Sequence, residues 1–543
     1  MDISAILSFF HVLWAVPLIL VSSTRLSTGA DELEVSSLPN APPLPRSWAG
    51  RLPIPETEDG NSLFFWLFEA EDPAYSDNLI MWFNGGPGCS SLIGMMTGNG
   101  PLKFVGNSTD VAENPNSWTK LGNVLYVDQP AGTGFSTASE PYPVRDTERV
   151  TSDFVKWLHV FYATFPDMQQ KQLHMIGESW AGIYIPYFAE AMLENTDSLP
   201  VNLRSISLGD GAWGNAAAMT SVTIGTFLHA KQSELSIPED ILEAFEEADE
   251  ICGFDDVLEA AGQYPPDGKI TIPGNPEGLD YKRSLLKRDD IGIGDVLGES
   301  CAPHPVTAEE TRKSILNSTC HGPCATFSTA VDYMFTSSQI GTGPPCFDMY
   351  DISKNCSAVN EQALIAAYFS RADVQDALHI PPPANHSAVQ FLLCNSEIMQ
   401  TLLAQTPPAE PPAYSIIPDL TSFHNVHLHI YSGENDMLIN HFGAELSMQN
   451  LTWRGTRGWA HPPDNVFYVD NAAPDNKPPC TPTSHLKQQP CVPEGEEMPP
   501  EAGLWGEGRK ATYHLFYDAG HSVFVKQPRP MFAYVRDVVV SNL

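Results

Sequence analysis

The stretch that decides the fold is L-H-M-I-G-E-S-W-A-G, at residues 173–182. Its first four residues are an apolar run that predicts a strand, and the pattern is helical from about Ala181 to Asn195. A strand that enters a helix through a sharp turn, with small residues two positions either side of a serine, is typical of a nucleophile elbow. Gly177 and Ala181 are the small residues, and Ser179 is the serine.

Further strands and helices alternate on both sides of this stretch. This alternation predicts an α/β fold, with a doubly wound, mostly parallel central sheet. We expect this domain to comprise two parts, 31–211 and 346–543, with a Pro-rich surface loop at 472–507. The segments that carry the alternation are the apolar runs Leu63–Phe68, Leu79–Phe83, Val124–Val127, Val426–Tyr431 and Tyr513–Tyr517 and the helical patterns at 147–165 and 360–379.

The segment 212–345 differs in character from its flanks. It is acidic and helical at 238–251, then rich in Gly and Pro, and it has cysteines of its own. We interpret it as an inserted helical cap that is stapled by disulfides. Dibasic pairs at 282–283 and 287–288 allow proteolytic processing, because exposed loops are often cleaved; the alternative is an ordinary solvated loop.

The composition and the first residues indicate export. The run Ile6–Val21 predicts a signal peptide over 1–22, with cleavage as late as about residue 30; the alternative is an uncleaved membrane anchor. An even number of cysteines, 10, favours disulfides in a secreted or vacuolar protein. The run C-H-G-P-C at 320–324 leaves a zinc or redox site as a second interpretation. Five sequons predict glycosylation, at Asn107, Asn317, Asn355, Asn385 and Asn450.

The charge of the chain excludes several partners. With 29 basic and 66 acidic residues the net charge is −37. So negative a surface repels nucleic acid and anionic membranes, so we expect neither nucleic acid nor, after signal removal, a membrane as partner. It also suits acidic surroundings, where protonation of carboxylates relieves the repulsion.

A serine hydroxyl needs a base and an orienting acid, which follow it in the order acid, then histidine, in this class of elbow. Asp436, in Y-S-G-E-N-D, and His521, in F-Y-D-A-G-H, each follow a predicted strand. Glu434 and Asp518 are alternative acids two and three residues away. Three histidines on one predicted strand also allow a metal site in principle, although only two of them share a face: His424, His427 and His429.

A glycine-rich turn supplies the second constellation, W-F-N-G-G-P-G-C-S-S at 82–91. Adjacent glycines after a strand let backbone N–H groups approach a ligand closely. The Trp180 N–H at the elbow can donate to a developing oxyanion, and this turn is the natural source of the other donor.

The chain resembles the serine carboxypeptidase family. The matching motifs are those two turns together with N-P-N-S-W at 114–118, V-L-Y-V-D-Q-P-A-G-T-G-F-S at 124–136, D-V-Q-D-A-L-H at 373–379, and A-G-H with Q-P at 519–528. The resemblance implies an α/β-hydrolase fold with a helical cap after the sixth strand, and hydrolysis of peptide or protein C-termini through an acyl-enzyme without metal or cofactor. An acyltransferase or esterase on the same scaffold is the alternative, and a non-catalytic binding module is a third.

The resemblance also implies a role for each matching residue. Ser179, Asp436 and His521 form the triad, and the N–H groups of Gly86 and Trp180 form the oxyanion hole. The residues that bind the terminal carboxylate of the substrate are Asn84, Gly85 and Glu178, supported by Trp82. Glu178 can hydrogen-bond a carboxylate only if one of the two groups is protonated.

Three positions depart from the family pattern. Gly98 stands where a second glutamate is common, Ser522 where a hydrophobic residue follows the histidine, and Ile439 where a cysteine is frequent.

The family implies the disulfides Cys89–Cys394 and Cys346–Cys356, and proximity suggests Cys480–Cys491. The remaining four cysteines allow three pairings: Cys252, Cys301, Cys320 and Cys324.

Overall fold

The computed structural model describes residues 29–57, 60–139, 142, 144–273, 305–316, 323–354, 360–383, 388–405, 411, 413–468 and 500–541. Several predictions fall outside these ranges: the signal peptide, the dibasic pairs and most of the Pro-rich loop. The same holds for some predicted disulfide and glycan positions, namely Cys301, Cys320, Cys356, Cys480, Cys491, Asn317, Asn355 and Asn385.

The strands in the described ranges are numbered here in chain order. They are β1 Ser47–Pro53, β2 Ser62–Phe68, β3 Asn78–Phe83, β4 Leu102–Phe104, β5 Val111–Glu113, β6 Asn123–Asp128, β7 Gln172–Glu178, β8 Asn202–Gly209, β9 His427–Gly433, β10 Thr452–Trp453, β11 Thr456–Arg457, β12 Asn465–Tyr468, β13 Glu501–Gly508 and β14 Ala511–Phe516.

Ten of these strands form one sheet, in the order β1-β2-β6-β3-β7-β8-β9-β14-β13-β12. The strands from β6 to β14 in that order are parallel to their neighbours. Antiparallel pairs close both edges. The predicted α/β class with a mostly parallel central sheet is therefore confirmed, and the sequence patterns did not reveal the antiparallel edges.

Helices connect the strands. In the described ranges the α-helices are Leu92–Gly94, Thr147–Thr164, Pro166–Gln169, Ala181–Glu194, Ala216–Met219, Ile224–Ala230, Gln232–Leu235, Glu239–Cys252, Phe254–Ala261, Ala308–Leu316, Thr326–Ile340, Glu361–Phe369, Ala372–Ala377, Ser396–Leu403, Ala413–Phe423, His441–Asn450, Val523–Lys526 and Pro528–Tyr534. Short 3₁₀ or π turns occur at Asp31–Leu33, Pro73–Tyr75, Met95–Asn99, Trp118–Lys120 and Val535–Val539. None of the described helices is long and apolar enough to span a bilayer.

The two faces of the sheet are covered by different helices. The helix Thr147–Thr164 is capped by Asp146, whose carboxylate accepts from the Arg149 N–H at 2.8 Å. Its buried side packs on the helix after the elbow, where the Phe154 and Phe188 rings stack with centroids 4.1 Å apart. Helices from the C-terminal part cover the other face, around a separate core. Burial of these apolar faces supplies most of the free energy of folding.

The sheet places several loops at one edge. In a parallel sheet the carboxyl ends of the strands meet on the same side, and ligands bind there. The glycine-rich turn follows β3, and Ser179 follows β7. Asp436 follows β9, and His521 follows β14. Strands that are far apart in the chain therefore deliver the predicted site residues to one place.

In the segment predicted to be a cap, the described residues are mainly helical. Cys252, at the end of Glu239–Cys252, forms a disulfide with Cys324. Of the three pairings left open for the four cap cysteines, this disulfide selects the one that joins Cys252 to Cys324. Because the Cys324 sulfur is held in a disulfide, it is not a free thiol, so it does not fit a thiolate ligand or a redox pair with Cys320.

One buried carboxyl in this segment has a consequence for stability. Asp249 is 5% exposed, and its Oδ1 has no hydrogen-bond partner in the described part of the chain. Its Oδ2 packs on the helix Ile224–Ala230, where a Cβ added to Gly225 would lie 2.2 Å away. Burial, followed by the charges of Asp255 and Glu246, raises the pKa of Asp249 to about 8.

We therefore expect Asp249→Asn to stabilise the protein at neutral and alkaline pH. A carboxyl whose folded-state pKa is raised contributes stability at low pH that is lost as pH rises through about 8. The gain should reach the order of a few kcal/mol at pH 8 and vanish below about pH 4. Thermal melts at several pH values measure it, with the exposed Glu243→Gln on the same helix as the control; equal pH dependence of wild type and Asp249→Asn would contradict it.

Candidate active site

The turn after β7 holds Ser179 in a backbone conformation that L-residues rarely adopt, with φ of 61°. Hydrogen bonds fix it on both sides. The Ser179 N–H donates to the Gly209 carbonyl at 2.9 Å, and the Ser179 carbonyl accepts from Gly182 at 2.9 Å and Ala212 at 3.0 Å. Strain of this kind persists only where the surroundings impose it, and it is common at active sites.

The small residues beside the serine are explained by contact. A Cβ added to Gly177 would lie 2.6 Å from the Phe83 carbonyl oxygen and 2.7 Å from the Ala181 Cβ. Only glycine fits at 177, and the methyl group of Ala181 occupies the space that this glycine leaves. The alanine in place of the second glycine of the elbow is thus accommodated.

Asp436 and His521 meet as the sequence predicts. Asp436 Oδ2 lies 2.7 Å from His521 Nδ1, and the carboxylate is fully buried. Its Oδ1 accepts from the Leu438 N–H at 2.9 Å. With Nδ1 bonded to a buried carboxylate, Nε2 is the nitrogen left for proton exchange with a hydroxyl.

Glu434, one of the two alternative acids, has other partners. Glu434 Oε2 accepts from the Asp518 N–H at 3.0 Å, and Glu434 Oε1 pairs with Lys231 Nζ at 2.9 Å. The carboxylate that contacts His521 Nδ1, at 2.7 Å, is that of Asp436. Asp436 is therefore the acid that orients the imidazole in this structure.

Tyr350 is a second support for the imidazole that the sequence patterns did not single out. Its carbonyl accepts from the backbone N–H of His521 at 2.7 Å. Its ring meets the imidazole edge to face, with centroids 5.0 Å apart. No local motif marks Tyr350, because it comes from the loop after the predicted cap, distant in sequence from both strands.

The serine and the histidine are brought together through their neighbours. Ser522 Oγ donates to Glu178 Oε1 at 3.1 Å, which joins the residue after His521 to the residue before Ser179. Ser179 and His521 are both buried, at 8% and 5% exposure. The three residues predicted as a triad thus lie at one site.

The glycine-rich turn after β3 packs directly on the elbow. A Cβ added to Gly85 would lie 2.3 Å from the Trp180 nitrogen and 2.8 Å from the Ser179 Cβ. Gly86 follows with φ of 112°, a conformation that favours glycine. The turn therefore brings backbone N–H groups next to the serine, as an oxyanion hole requires.

A disulfide anchors this turn. Cys89 and Cys394, which the resemblance pairs, are bonded across 305 positions. The Cys89 N–H donates to the Gly85 carbonyl at 3.2 Å. Cys346 is also disulfide-bonded, and its predicted partner lies outside the described residues.

A chain of hydrogen bonds links the residues predicted to bind a carboxylate. Trp82 Nε1 donates to Asn84 Oδ1 at 2.8 Å, and the Gly94 N–H donates to the same oxygen at 3.0 Å. Asn84 Nδ2, fixed in this orientation, donates to Glu178 Oε1 at 2.8 Å. Glu178 Oε2 has no hydrogen-bond partner in the described part of the chain.

The environment of Glu178 favours its neutral form. Burial is the largest cause and raises its pKa to about 7, against the opposing charge of His521 and the bonds from Ser522 and Asn84. A protonated carboxyl at this place can donate to an anion, whereas an ionised one repels it.

Asp210, just after β8, is a third buried carboxyl that the sequence analysis missed. Its oxygens accept from the Gly433 N–H at 3.0 and 3.1 Å. Burial, then the charge of Asp436, raises the pKa of Asp210 well above its usual range. Its position at a strand end, in G-D-G, is the signal that could have found it.

The strand histidines lie elsewhere. His429 is buried and its Nδ1 contacts Thr512 Oγ1 at 2.9 Å, while burial lowers the pKa of both His427 and His429. His424 follows the helix Ala413–Phe423 and precedes the strand. Across the described ranges there is no group of three or more side chains placed to bind a metal.

One predicted glycosylation site is corrected by the structure. Asn450 is 6% exposed, its Oδ1 accepts from the Ile270 N–H at 3.0 Å, and its Nδ2 donates to the Ile270 carbonyl at 2.9 Å. A glycan on this nitrogen would break a buried bond, so the sequon pattern was misleading there. Asn107 is exposed in the turn between β4 and β5, and its glycosylation stays a prediction.

Comparison with known proteins assigns the site to a family. A sequence model of the serine carboxypeptidase family matches residues 39–541. The chain belongs to the serine carboxypeptidase family. It is an exopeptidase, a hydrolase that acts on peptides. Among similar proteins, one from Arthroderma benhamiae described as a carboxypeptidase Y homolog is 43% identical over 513 residues, which are 94% of each chain.

More distant relatives and a solved structure agree with this carboxypeptidase assignment. A pheromone-processing carboxypeptidase KEX1 of Chaetomium globosum is 27% identical, over 92% of this chain and 65% of its own length. The crystal structure of Kex1(delta)p, a prohormone-processing carboxypeptidase from Saccharomyces cerevisiae, superposes with a TM-score of 0.64 at 22% identity, covering 94% of this carboxypeptidase and 95% of that chain. At that identity the likeness shows the fold, which is that of an α/β-hydrolase.

Proposed function

We propose that this carboxypeptidase cleaves the last peptide bond of its substrates with Ser179 as the nucleophile. His521 takes the hydroxyl proton as Ser179 Oγ attacks the carbonyl carbon, and later gives it to the leaving amine. Water then hydrolyses the acyl-enzyme by the same route. The observation that carries the proposal is the 2.7 Å contact between His521 Nδ1 and a fully buried Asp436, which leaves Nε2 to act as the base.

The N–H groups of Gly86 and Trp180 stabilise the oxyanion of the tetrahedral intermediate. The tight packing of the glycine-rich turn on the elbow supports this role, because the donors need no reorganisation during the reaction. Removal of one such donor typically costs about 10²- to 10³-fold in kcat.

The terminal carboxylate of the substrate binds to Asn84, the Gly85 N–H and protonated Glu178. The buried, hydrogen-bonded chain Trp82–Asn84–Glu178 supports this, since it fixes two polar side chains beside the nucleophile. Glu178 donates through Oε2 while Oε1 accepts from the protein. Substrates are accordingly peptides or proteins with a free C-terminus, and the acidic composition suits an acidic compartment reached through the secretory pathway, such as the vacuole or the medium.

The KM for a peptide with a free C-terminus should rise as pH passes through about 7, approaching tenfold per pH unit above it. Below that pH the neutral Glu178 donates to the substrate, and above it two negative charges face one another. Steady-state kinetics from pH 4 to 8.5 measure the effect.

Glu178→Gln is the matched control for this pH dependence. The glutamine amide donates at every pH, so its KM should stay flat where that of the wild type rises. A wild-type KM that is constant from pH 4 to 8 would show that Glu178 does not bind the carboxylate.

A further inference from the structure

Ser522 contacts the site without being one of its predicted residues. It follows His521 directly and precedes the short helix Val523–Lys526. It is partly exposed, and its Oγ donates to Glu178 Oε1 at 3.1 Å. The resemblance leads to a hydrophobic residue at this position, which has no hydroxyl to donate, so the contact is a feature of this chain.

The contact makes the two oxygens of Glu178 unequal. Oε1 accepts from both Asn84 Nδ2 and Ser522 Oγ, at 2.8 and 3.1 Å. Oε2 is buried and accepts from no group in the described part of the chain. Two donors on one oxygen oppose protonation there, so the proton of the neutral carboxyl sits on Oε2.

The turn that contains Gly98 does not supply a second carboxyl to share that proton. A Cβ added to Gly98 would lie 2.9 Å from the Phe524 ring and 3.0 Å from the Phe524 carbonyl. A glutamate side chain therefore does not fit there without displacing Phe524. Ser522, two residues before Phe524, provides a neutral donor to Glu178 instead.

The groups around Glu178 determine in which direction the Ser522 hydroxyl changes its pKa. Asp436 opposes ionisation of Glu178. Asp210 and Tyr431 would do so only if ionised, but burial holds the pKa of each well above its usual range. His521 favours the charged form of Glu178 and so opposes the effect of burial on its pKa. The hydrogen bonds from Ser522 and Asn84 act in the same direction. Because Ser522 is one of few groups that favour the ionised carboxyl, its loss should raise the pKa of Glu178.

We propose that Ser522 is a positioning residue for substrate binding: its hydroxyl holds Glu178 Oε1 so that Oε2 donates to the terminal carboxylate, and it thereby sets the pH at which peptide binding weakens. The proposal deepens the function proposed above and rests on it. Ser522 acts through Glu178 and touches no reacting atom.

The test is the pH dependence of KM in Ser522→Ala. Its midpoint should move upward by about one pH unit, the change expected when one hydrogen bond to a charged group is lost. KM at pH 5 should rise several-fold, because the carboxyl is less well oriented, whereas the midpoint of the kcat profile, which reports His521, should stay in place. Ser522→Thr keeps a hydroxyl and should restore the wild-type midpoint.

Ser108→Ala is the control variant, since the Ser108 hydroxyl donates to an exposed carboxylate, Asp110, at 3.2 Å on a remote turn. Thermal melts establish that each variant is folded. A KM midpoint in Ser522→Ala equal to that of the wild type, or one that moves equally in Ser522→Thr, would overturn the proposal. If the wild-type KM itself does not rise with pH, the role of Glu178 fails, and that failure appears before any Ser522 variant is compared.

Discussion

Ser179→Ala is expected to lower kcat/KM for release of a C-terminal residue by about 10⁴- to 10⁶-fold. The attacking oxygen is removed while the oxyanion donors and the substrate contacts remain, so a small residual rate over water should persist. Liquid chromatography of the amino acids released from a blocked dipeptide at pH 5 measures the loss. KM should change little, because Ser179 is not part of the proposed carboxylate site.

The fold of Ser179→Ala must be intact for this result to bear on mechanism. Its melting temperature should stay close to that of the wild type, because alanine has the same backbone strain at this turn and lacks only the hydroxyl. Ser205→Ala is a matched control, since Ser205 is also buried and lies toward the other end of the sheet, where its Oγ contacts His174 Nδ1 at 2.7 Å. Ser179→Ala with more than a few per cent of wild-type activity would contradict the proposed nucleophile.

Asp436→Asn is expected to lower kcat by about 10³- to 10⁴-fold with little change in KM. An asparagine amide that donates toward His521 Nδ1 would favour the tautomer with its proton on Nε2, which cannot accept the proton of Ser179. The buried carboxylate also stabilises the imidazolium that forms during attack, and the neutral amide does not. Single-turnover kinetics separate this loss in chemistry from any change in product release.

The two nearby acids provide controls for Asp436. Glu434→Gln removes the ion pair with Lys231. Asp518→Asn changes an exposed side chain and leaves the hydrogen bond from the Asp518 backbone N–H to position 434 in place. Both should stay within about tenfold of the wild-type kcat, because the carboxylate that contacts His521 Nδ1 is that of Asp436. A larger loss in Glu434→Gln than in Asp436→Asn would move the orienting role to Glu434.

The residues of the site that the sequence predicts best are those whose role depends on the local backbone, at a sharp turn or at the end of a strand. The elbow needs small residues around Ser179, and the strand ends before Asp436 and His521 are marked by apolar runs. The chain order of acid and histidine then restricts the choice to a few residues. The structure places these residues together, and their catalytic roles remain proposals.

Residues that act only through tertiary contact were out of reach. Tyr350 is linked to His521 by a backbone hydrogen bond between distant segments, and no local motif marks it. Asp210 directly follows β8, in G-D-G, but that strand was not predicted. The strand β8 was missed because Arg204, Ser205 and Ser207 interrupt its apolar pattern, although both serines are buried. Asn450 shows the reverse error, since a short sequon has no information about burial.

Helix boundaries were likewise predicted well where local signals agree and poorly where they do not. The helix predicted over 147–165 occurs as Thr147–Thr164, because one apolar face and the Asp146 cap agree. The helical pattern at 360–379 instead gives two helices, Glu361–Phe369 and Ala372–Ala377. The break falls at Ser370 and Arg371, where the second helix begins with an extended residue, and the continuous pattern hid it.

Covalent labelling with a fluorophosphonate, mapped by peptide mass spectrometry, tests directly whether Ser179 is the nucleophile. Attack by an activated serine oxygen on phosphorus expels fluoride and leaves a stable adduct. We expect one adduct, on the peptide that contains Ser179, and a proportional loss of the release of C-terminal residues. We expect no adduct at that serine in His521→Ala. Full carboxypeptidase activity after exhaustive treatment with the fluorophosphonate, or inactivation that maps to another residue, would contradict this expectation.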